Sequence, residues 1–190
     1  MIILHTEHFT IRDHLETDLK VMHTLLSNEK AMYYLPEIKT HNMRDSKKNL
    51  RIALEAVGQK PREKYFFAIE TRDGAYIGEI GFTVETRSPQ GNIVNLGYFI
   101  LPEYWGKGVV TEAALAVIHF AFEEAGVIKI TTGCIKDNIG SERVMQKLGM
   151  TREAYFKKHV WHDNQYKDRV EYGLLSTEWQ LMKNGLSKLS

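Results

Sequence analysis

The strongest constraint on the fold is an abrupt change of hydrophobic period near the middle of the chain. Residues 95–101 form an apolar run typical of a strand, whereas apolar side chains in residues 113–122 recur at helical spacing. Gly106 and Gly108 lie between the two segments. The pattern predicts a strand that passes into a helix through a tight turn, whose backbone carries no side chain at two positions.

Such a turn favours the binding of an anion. The first N–H groups of a helix have no partner inside the helix, and they lie at the positive end of its dipole. Two glycines let a phosphate group approach those N–H groups closely. A tight turn that simply needs small residues is the more common explanation of two such glycines, so both interpretations stay open at this point.

The remaining pattern alternates between strands and helices. Asp73-Gly74 is typical of a hairpin turn between two of the strands. Strands are predicted at residues 2–12, 65–70, 76–84, 92–101, 127–136, 151–161 and 166–176, and helices at 15–26, 44–57, 113–122 and 138–147. This order predicts an α+β (mixed α/β) protein in one domain, residues 1–190, with helices on both faces of a mostly antiparallel, twisted sheet of about seven strands.

Composition excludes several classes of protein. The formal net charge is +1, with Lys and Arg scattered, so nothing predicts direct nucleic-acid binding. No apolar run approaches the about 20 residues that span a bilayer, which predicts no membrane association. Cys134 is the single cysteine, which fits a reducing cytoplasm and predicts a structural thiol in a buried strand. The glycine turn also lacks the spacing of a nucleotide P-loop.

Three segments in order resemble one family. They are residues 97–113 (GYFILPEYWGKGVVTEA), residues 138–150 (NIGSERVMQKLGM) and residues 161–179, which begin with Trp161 and end with Trp179. With the order of elements, they resemble the GNAT superfamily of N-acetyltransferases, and within it the RimJ/RimL-like branch of ribosomal-protein N-terminal acetyltransferases. One departure is Glu103, which stands where the family pattern has Gln or Arg. Backbone groups bind the phosphates in that pattern, so the departure leaves the turn usable.

The resemblance implies acetyl-CoA as co-substrate and a sheet that splays between its fourth and fifth strands. The diphosphate would bind the glycine turn, and the pantetheine arm would lie between the strands at 94–101 and 128–136. Lys107 and Arg143 have an alternative interpretation as solvated surface residues. The implied coenzyme-binding residues are Phe99, Leu101, Tyr104, Trp105, Gly106, Lys107, Gly108, Val109, Thr111, Asn138, Ser141 and Arg143.

Acetyl transfer to an amine needs a neutral amine, a stabilised oxyanion and a proton for the departing thiolate. By resemblance, Ser141 donates that proton or orients the thiol, and Asn138 binds the coenzyme arm or orders a water. Both residues are also ordinary helix-capping types. Glu79, on a central predicted strand, is the candidate general base, with a glutamate that faces solvent as its alternative. The histidine spacings predict no metal site.

The predicted function is therefore transfer of an acetyl group from acetyl-CoA to a primary amine by direct attack in a ternary complex. The expected acceptor is the N-terminal α-amine of a protein such as a ribosomal protein. Acetylation of a small amine (an amino acid, a polyamine or an aminoglycoside) is the first alternative, and a non-catalytic CoA-binding module is the second. The expected partners are the coenzyme and the acceptor, with the protein a monomer or a homodimer.

Overall fold

The computed structural model describes residues 1–186. Two short 3-10 helices, Glu16–Asp18 and Pro102–Tyr104, precede α1 and α3. The other elements are β1 (Ile3–His5), β2 (Phe9–Asp13), α1 (Leu19–Leu26), α2 (Met43–Gly58), β3 (Lys64–Thr71), β4 (Tyr76–Ser88), β5 (Gly91–Ile100), α3 (Val109–Glu123), β6 (Val127–Ile135), α4 (Ile139–Lys147), β7 (Thr151–His162), β8 (Gln165–Leu175) and α5 (Ser176–Leu186). None of the helices within residues 1–186 combines the length and the apolar character that crossing a membrane requires.

The strands form one mixed sheet in the order β1-β2-β3-β4-β5-β6-β8-β7. β5 and β6 pair in parallel, and the register of this pair runs from Asn92 to Asn95 on one strand and from Val127 to Thr131 on the other. It therefore covers only the first part of each strand, in agreement with the splay that the resemblance implied. The pairs β1–β2, β2–β3, β3–β4, β6–β8 and β7–β8 are antiparallel. The predicted α+β class and the mostly antiparallel sheet are confirmed.

The ends of the chain differ from the prediction in two ways. The opening strand is two strands, because Thr6 and Phe9 close a bend: Thr6 N–H donates to the Phe9 carbonyl (3.0 Å), and Phe9 N–H donates to the Thr6 hydroxyl (3.0 Å). The sheet consequently has eight strands. Helix α5 was not predicted from the sequence, yet it contains the buried Trp179, whose ring centroid lies 6.3 Å from that of Phe122.

The chain divides into two compact units. The first comprises residues 1–83 and 97–117, and it contains β1 to β3, most of β4, α1, α2, the glycine turn and the start of α3. The second comprises residues 84–96 and the chain from residue 118 onward, including β6 to β8 and α4. The interpretation of residues 1–190 as one domain stays a prediction.

In the first unit, an apolar cluster supports the end of β5. Met22, Leu25 and Leu26 follow the helical spacing of α1 and are buried together with Met32 and Leu50. Phe99 and Leu101, predicted to lie along the coenzyme arm, pack against this cluster, as does Tyr76 of β4. The burial of a side chain such as leucine stabilises by about 1.5–3 kcal/mol. The cluster therefore holds the backbone that leads into the glycine turn.

In the second unit, α4 is held by buried polar contacts as well as by apolar ones. Met145 is fully buried and Leu148 is almost so. Glu142, also buried, accepts a hydrogen bond from the Tyr172 hydroxyl of β8 (3.0 Å) and pairs with Lys136 Nζ (2.6 Å). These contacts fix the helix that carries Ser141 and Arg143.

Candidate active site

The predicted turn is built as its glycines require. Gly106 has φ +72° and Gly108 has φ +82°, in the left-handed region that L side chains rarely adopt. Apart from the glycine itself and its two chain neighbours, no residue in the described part of the chain places a heavy atom within 4 Å of the position that a Cβ atom would take at either glycine. Glycine is therefore needed there for the backbone conformation rather than for lack of room. The open space beside the backbone is available to a ligand.

Helix α3 starts directly after this turn. Glu112 N–H donates to the Gly108 carbonyl (3.0 Å), so the helical hydrogen-bond ladder begins at Gly108. The N–H groups of the three residues between Gly108 and Glu112 therefore have no acceptor inside the helix. Val109 is buried and Thr111 half-buried, which anchors this first turn of the helix. The geometry thus presents helix N-terminal N–H groups beside two bare glycines.

The side chains of the turn lie at the surface. Trp105 is 50% exposed, while its Nε1–H donates to the Ile100 carbonyl (3.1 Å). The exposed Lys107 places Nζ 5.6 Å from the centroid of the Tyr104 ring. Leu101 N–H donates to the Ile77 carbonyl (2.9 Å), which removes that group from those available to a coenzyme. Lys107 has the one cationic side chain among residues 104–109.

Glu79 lies in a buried polar site. Its side chain is 13% exposed, so the alternative interpretation of a solvent-facing glutamate is wrong. The Tyr76 hydroxyl donates to Oε1 of Glu79 (2.6 Å), and Nε2 of His14 lies 3.8 Å from Oε2. Burial raises the pKa of Glu79, while the charge of His14 and the bond from Tyr76 lower it. A carboxyl group with a raised pKa and partial exposure is suited to proton transfer near neutral pH.

An ion-pair network lies on the other side of His14 from this carboxyl group. Arg12 donates to both carboxylate oxygens of Asp18 (2.8 and 2.9 Å) and also pairs with Glu70. Burial disfavours the charge of Asp18, yet the Arg12 contact holds the pKa of Asp18 well below its usual range. His14 lies between this network and Glu79.

Sequence reasoning missed the roles of His14, Asp18 and Tyr76. A signal was present, because Arg12, His14 and Asp18 are closely spaced polar residues between two apolar segments. Their spacing of two and four residues gave no information about Glu79, which β4 brings to them from more than sixty positions along the chain.

In the second unit, Asn138 is the N-cap of α4. Its side chain accepts a hydrogen bond from the backbone N–H of Ser141 (3.2 Å). The Cys134 thiol donates to the Asn138 carbonyl (3.8 Å), and the Ser141 side chain also interacts with this thiol. Burial raises the pKa of Cys134 to about 11, so this thiol stays protonated at neutral pH, as a structural cysteine does. Arg143 lies exposed on the same helix.

Comparison with known proteins identifies the family. The family model described as an acetyltransferase (GNAT) domain matches residues 8–151. The chain belongs to the GNAT family. The GNAT match begins before β2 and ends at the start of β7, so it includes the glycine turn, Glu79 and α4.

Individual relatives resemble this chain at identities between 27% and 39%. The uncharacterized N-acetyltransferase YnaD of Bacillus subtilis is 39% identical over 84 residues, which are 44% of this chain and 49% of YnaD. The [ribosomal protein uS5]-alanine N-acetyltransferase of Escherichia coli is 27% identical over 115 residues, 60% of this chain and 59% of that protein. The matched part therefore spans about half of these relatives' length. A solved GNAT-family acetyltransferase from Bacillus anthracis is 27% identical with a TM-score of 0.78, covering 93% of this chain and 100% of that chain.

The two compact units of this GNAT chain hold different parts of the predicted site. The second unit holds Asn138, Ser141 and Arg143, joined at the start of α4. The first unit holds Glu79, Phe99, Leu101, Tyr104, Trp105, Gly106, Lys107, Gly108, Val109 and Thr111.

Proposed function

We propose that the protein transfers an acetyl group from acetyl-CoA to a primary amine. The observation that carries the proposal is the glycine turn, with two left-handed glycines, open space beside them and the first N–H groups of α3. Backbone N–H groups at a helix N-terminus suit the diphosphate of the coenzyme. Membership of the GNAT family supports this assignment, since that family is named for acetyl transfer.

The acceptor that we propose is the N-terminal α-amine of a protein, in the manner of the RimJ/RimL-like branch. The relative named for alanine acetylation of ribosomal protein uS5 supports this choice. Chemistry supports it as well, because an α-amine has a pKa of about 7.7–8.0 and lysine one of about 10.4. Near pH 7, roughly 10–15% of an α-amine is neutral, against about 0.04% of a lysine side chain. The α-amine is therefore easier to deprotonate for attack.

The residues take the following proposed roles. Glu79 accepts the proton that the amine loses when its nitrogen attacks the thioester carbonyl carbon. The Ser141 hydroxyl donates a proton to the sulfur as the carbon–sulfur bond breaks, which releases CoA as a thiol. Solvent then returns a proton to the Ser141 oxygen and accepts the proton held by Glu79. Asn138 supports this step by holding the backbone of Ser141 at the start of α4. Direct attack in a ternary complex balances the reaction without an acyl-enzyme.

Two further parts of the proposal concern the whole chain. We place residues 1–190 in one N-acetyltransferase domain, because the family match runs through parts of both compact units. A cytoplasmic location is proposed on the strength of the single, buried and unpaired cysteine.

Binding and turnover test the proposal in sequence. A hundredfold excess of acetyl-CoA over its Kd stabilises the protein by about 2.7 kcal/mol, seen as a rise in Tm. Absence of any rise would contradict coenzyme binding. Release of free thiol is then measured with peptides that carry free N-termini, the same peptides blocked at the N-terminus, and a panel of amino acids, polyamines and aminoglycosides.

Each outcome of the panel has one meaning. Turnover with free but not blocked peptides supports the α-amine acceptor. Turnover with small amines alone replaces that acceptor with a small molecule. Binding without turnover on any acceptor would favour a CoA-binding module that has no catalytic role.

A further inference from the structure

His14 occupies an unusual position for a histidine. Its side chain has no exposed surface, and it lies between β2 and the 3-10 helix that precedes α1. Within residues 1–186, neither ring nitrogen makes a hydrogen bond of good geometry. A buried polar atom without a hydrogen bond costs about 1–3 kcal/mol. An apolar side chain would avoid that cost, so the ring has a reason other than packing to be there.

The surroundings of the ring supply the reason. Nδ1 of His14 lies 3.4 Å from Oδ2 of Asp18, and Nε2 lies 3.8 Å from Oε2 of Glu79. The Tyr76 ring is the other titratable neighbour from β4, with its centroid 6.3 Å from that of His14. The imidazole therefore lies between two carboxyl groups that come from different elements.

The charged groups around His14 determine what a proton on its ring does. Arg12 contributes one positive charge, and its partners Asp18 and Glu70 contribute two negative charges. Ionised Glu79 adds a third negative charge in a largely buried site. Opposite charges attract more strongly there than in water. A proton on His14 thus offsets the charge of Glu79 while Asp18 and Glu70 keep their ion pairs with Arg12.

We propose that protonated His14 keeps Glu79 ionised, and that His14 thereby sets the lower pH limit at which Glu79 can take a proton from the acceptor amine. His14 is a positioning residue in this scheme, because it acts on the reaction only through Glu79. The inference rests on the proposed function, since it assigns a partner to the base of that reaction. The charge of His14 lowers the pKa of Glu79, as expected for a cation this close to a carboxylate.

The first test is the pH profile of kcat/KM for His14→Gln, a variant that keeps polar atoms but carries no charge. Loss of the positive charge raises the pKa of Glu79, so the acid limb moves to higher pH. Relative to wild type, the ratio of kcat/KM at pH 6 to that at pH 9 falls by roughly tenfold or more. His119→Gln, at a half-exposed position on α3, is the matched control and leaves the profile unchanged.

The second test reads Glu79 without turnover. Glutamate labelled with ¹³C at the carboxyl carbon gives one signal for Glu79, assigned by its loss in Glu79→Gln. The titration of this signal moves to higher pH in His14→Gln and not in His119→Gln. The same shift is expected in His14→Asn, a second variant that carries no charge at this position. That measurement remains available if His14→Gln does not fold.

The outcomes separate the inference from the proposed function. A Glu79 signal that does not respond to His14 in either experiment overturns the inference. A uniform loss of kcat/KM at every pH, with a lowered Tm, also overturns it, because that is the result of a purely structural role. A Glu79 signal that responds while the acid limb stays in place supports the charge coupling and contradicts Glu79 as the base. An unchanged kcat/KM in Glu79→Gln contradicts that base independently.

Discussion

The glycine turn and the Glu79 site belong to the same compact unit but are built in opposite ways. The turn is contiguous, exposed and made of backbone, and its open space beside Gly106 and Gly108 needs no distant residue. The Glu79 site is buried and made of side chains, with Arg12, Glu70 and Glu79 brought together from three strands. A site made of local backbone can be changed at low cost to folding, whereas a buried ionic site is part of the stability of the fold.

The largest expected effect lies in the buried site. Arg12→Ala leaves the carboxylates of Asp18 and Glu70 without their shared cation, in surroundings where both are mostly buried. Removing one partner of a buried pair costs about 3–5 kcal/mol. We therefore expect the free energy of unfolding, from urea denaturation at pH 7, to fall by that amount.

Arg51→Ala is the matched control for this variant. Arg51 pairs with Glu55 on the outer side of α2, with side chains 71% and 64% exposed. An exposed helical pair contributes about 0.3–0.5 kcal/mol. If both arginine variants lost the same small amount of unfolding free energy, the buried ion pairs would stabilise the fold no more than an exposed pair does. The contrast in stability between the Glu79 site and the turn would then fail.

The second effect concerns the start of α4, where a local cap and a proposed catalytic group are adjacent. Ser141→Ala keeps the backbone N–H that donates to Asn138, so the cap survives and only the hydroxyl is lost. Loss of a general acid lowers kcat by about 10²–10⁴-fold. We expect a fall in steady-state kcat within this range, with the Kd for acetyl-CoA changed far less. Turnover equal to wild type would remove Ser141 from the mechanism.

The third effect tests the turn itself. Gly108→Ala forces an L side chain to φ +82°, which costs about 1–2 kcal/mol. The new methyl group also enters the open space that we assign to the diphosphate. We expect the Kd for acetyl-CoA, measured by calorimetry, to rise about tenfold or more while the protein stays folded.

Gly58→Ala is the matched control for replacing a glycine outside the turn. Gly58 also has open space around its Cβ position, but its φ is not in the left-handed region, and it ends α2. We expect no change in coenzyme affinity for this variant. A Gly108→Ala protein that unfolds as readily as Arg12→Ala, or that binds acetyl-CoA normally, would break the contrast between the two regions.

The smallest effect is that of the cap alone. Asn138→Ala removes the acceptor for Ser141 N–H and costs about 1 kcal/mol of stability, whereas Asn138→Asp retains a good capping residue. Thermal unfolding of both variants measures this difference. Normal turnover in a stable Asn138→Asp protein would restrict Asn138 to capping, and a loss of turnover there would show a further need for the amide.

Much of the fold could be predicted because its signals are local. The hairpin at Asp73-Gly74 was predicted from two residues, and Gly74 has φ +86° as such a turn requires. The capping by Asn138 was likewise predictable from residue type. The bend at Thr6 was not, because it is closed by one backbone and one hydroxyl hydrogen bond within a run of alternating residues. Helix α5 overlaps only the end of the last motif, and its burial depends on a contact with Phe122 from another helix.

The sequence by itself determined the family and the strand–turn–helix unit, and it predicts a backbone site for an anion at the turn, since period, glycine conformation and helix polarity are properties of neighbouring residues. Only the tertiary structure decided that Glu79 is buried and that His14 and Tyr76 contact it. The physical reason is that burial and electrostatic coupling depend on distances in space. Those distances are set by the pairing of β2, β3 and β4 and not by separation along the chain.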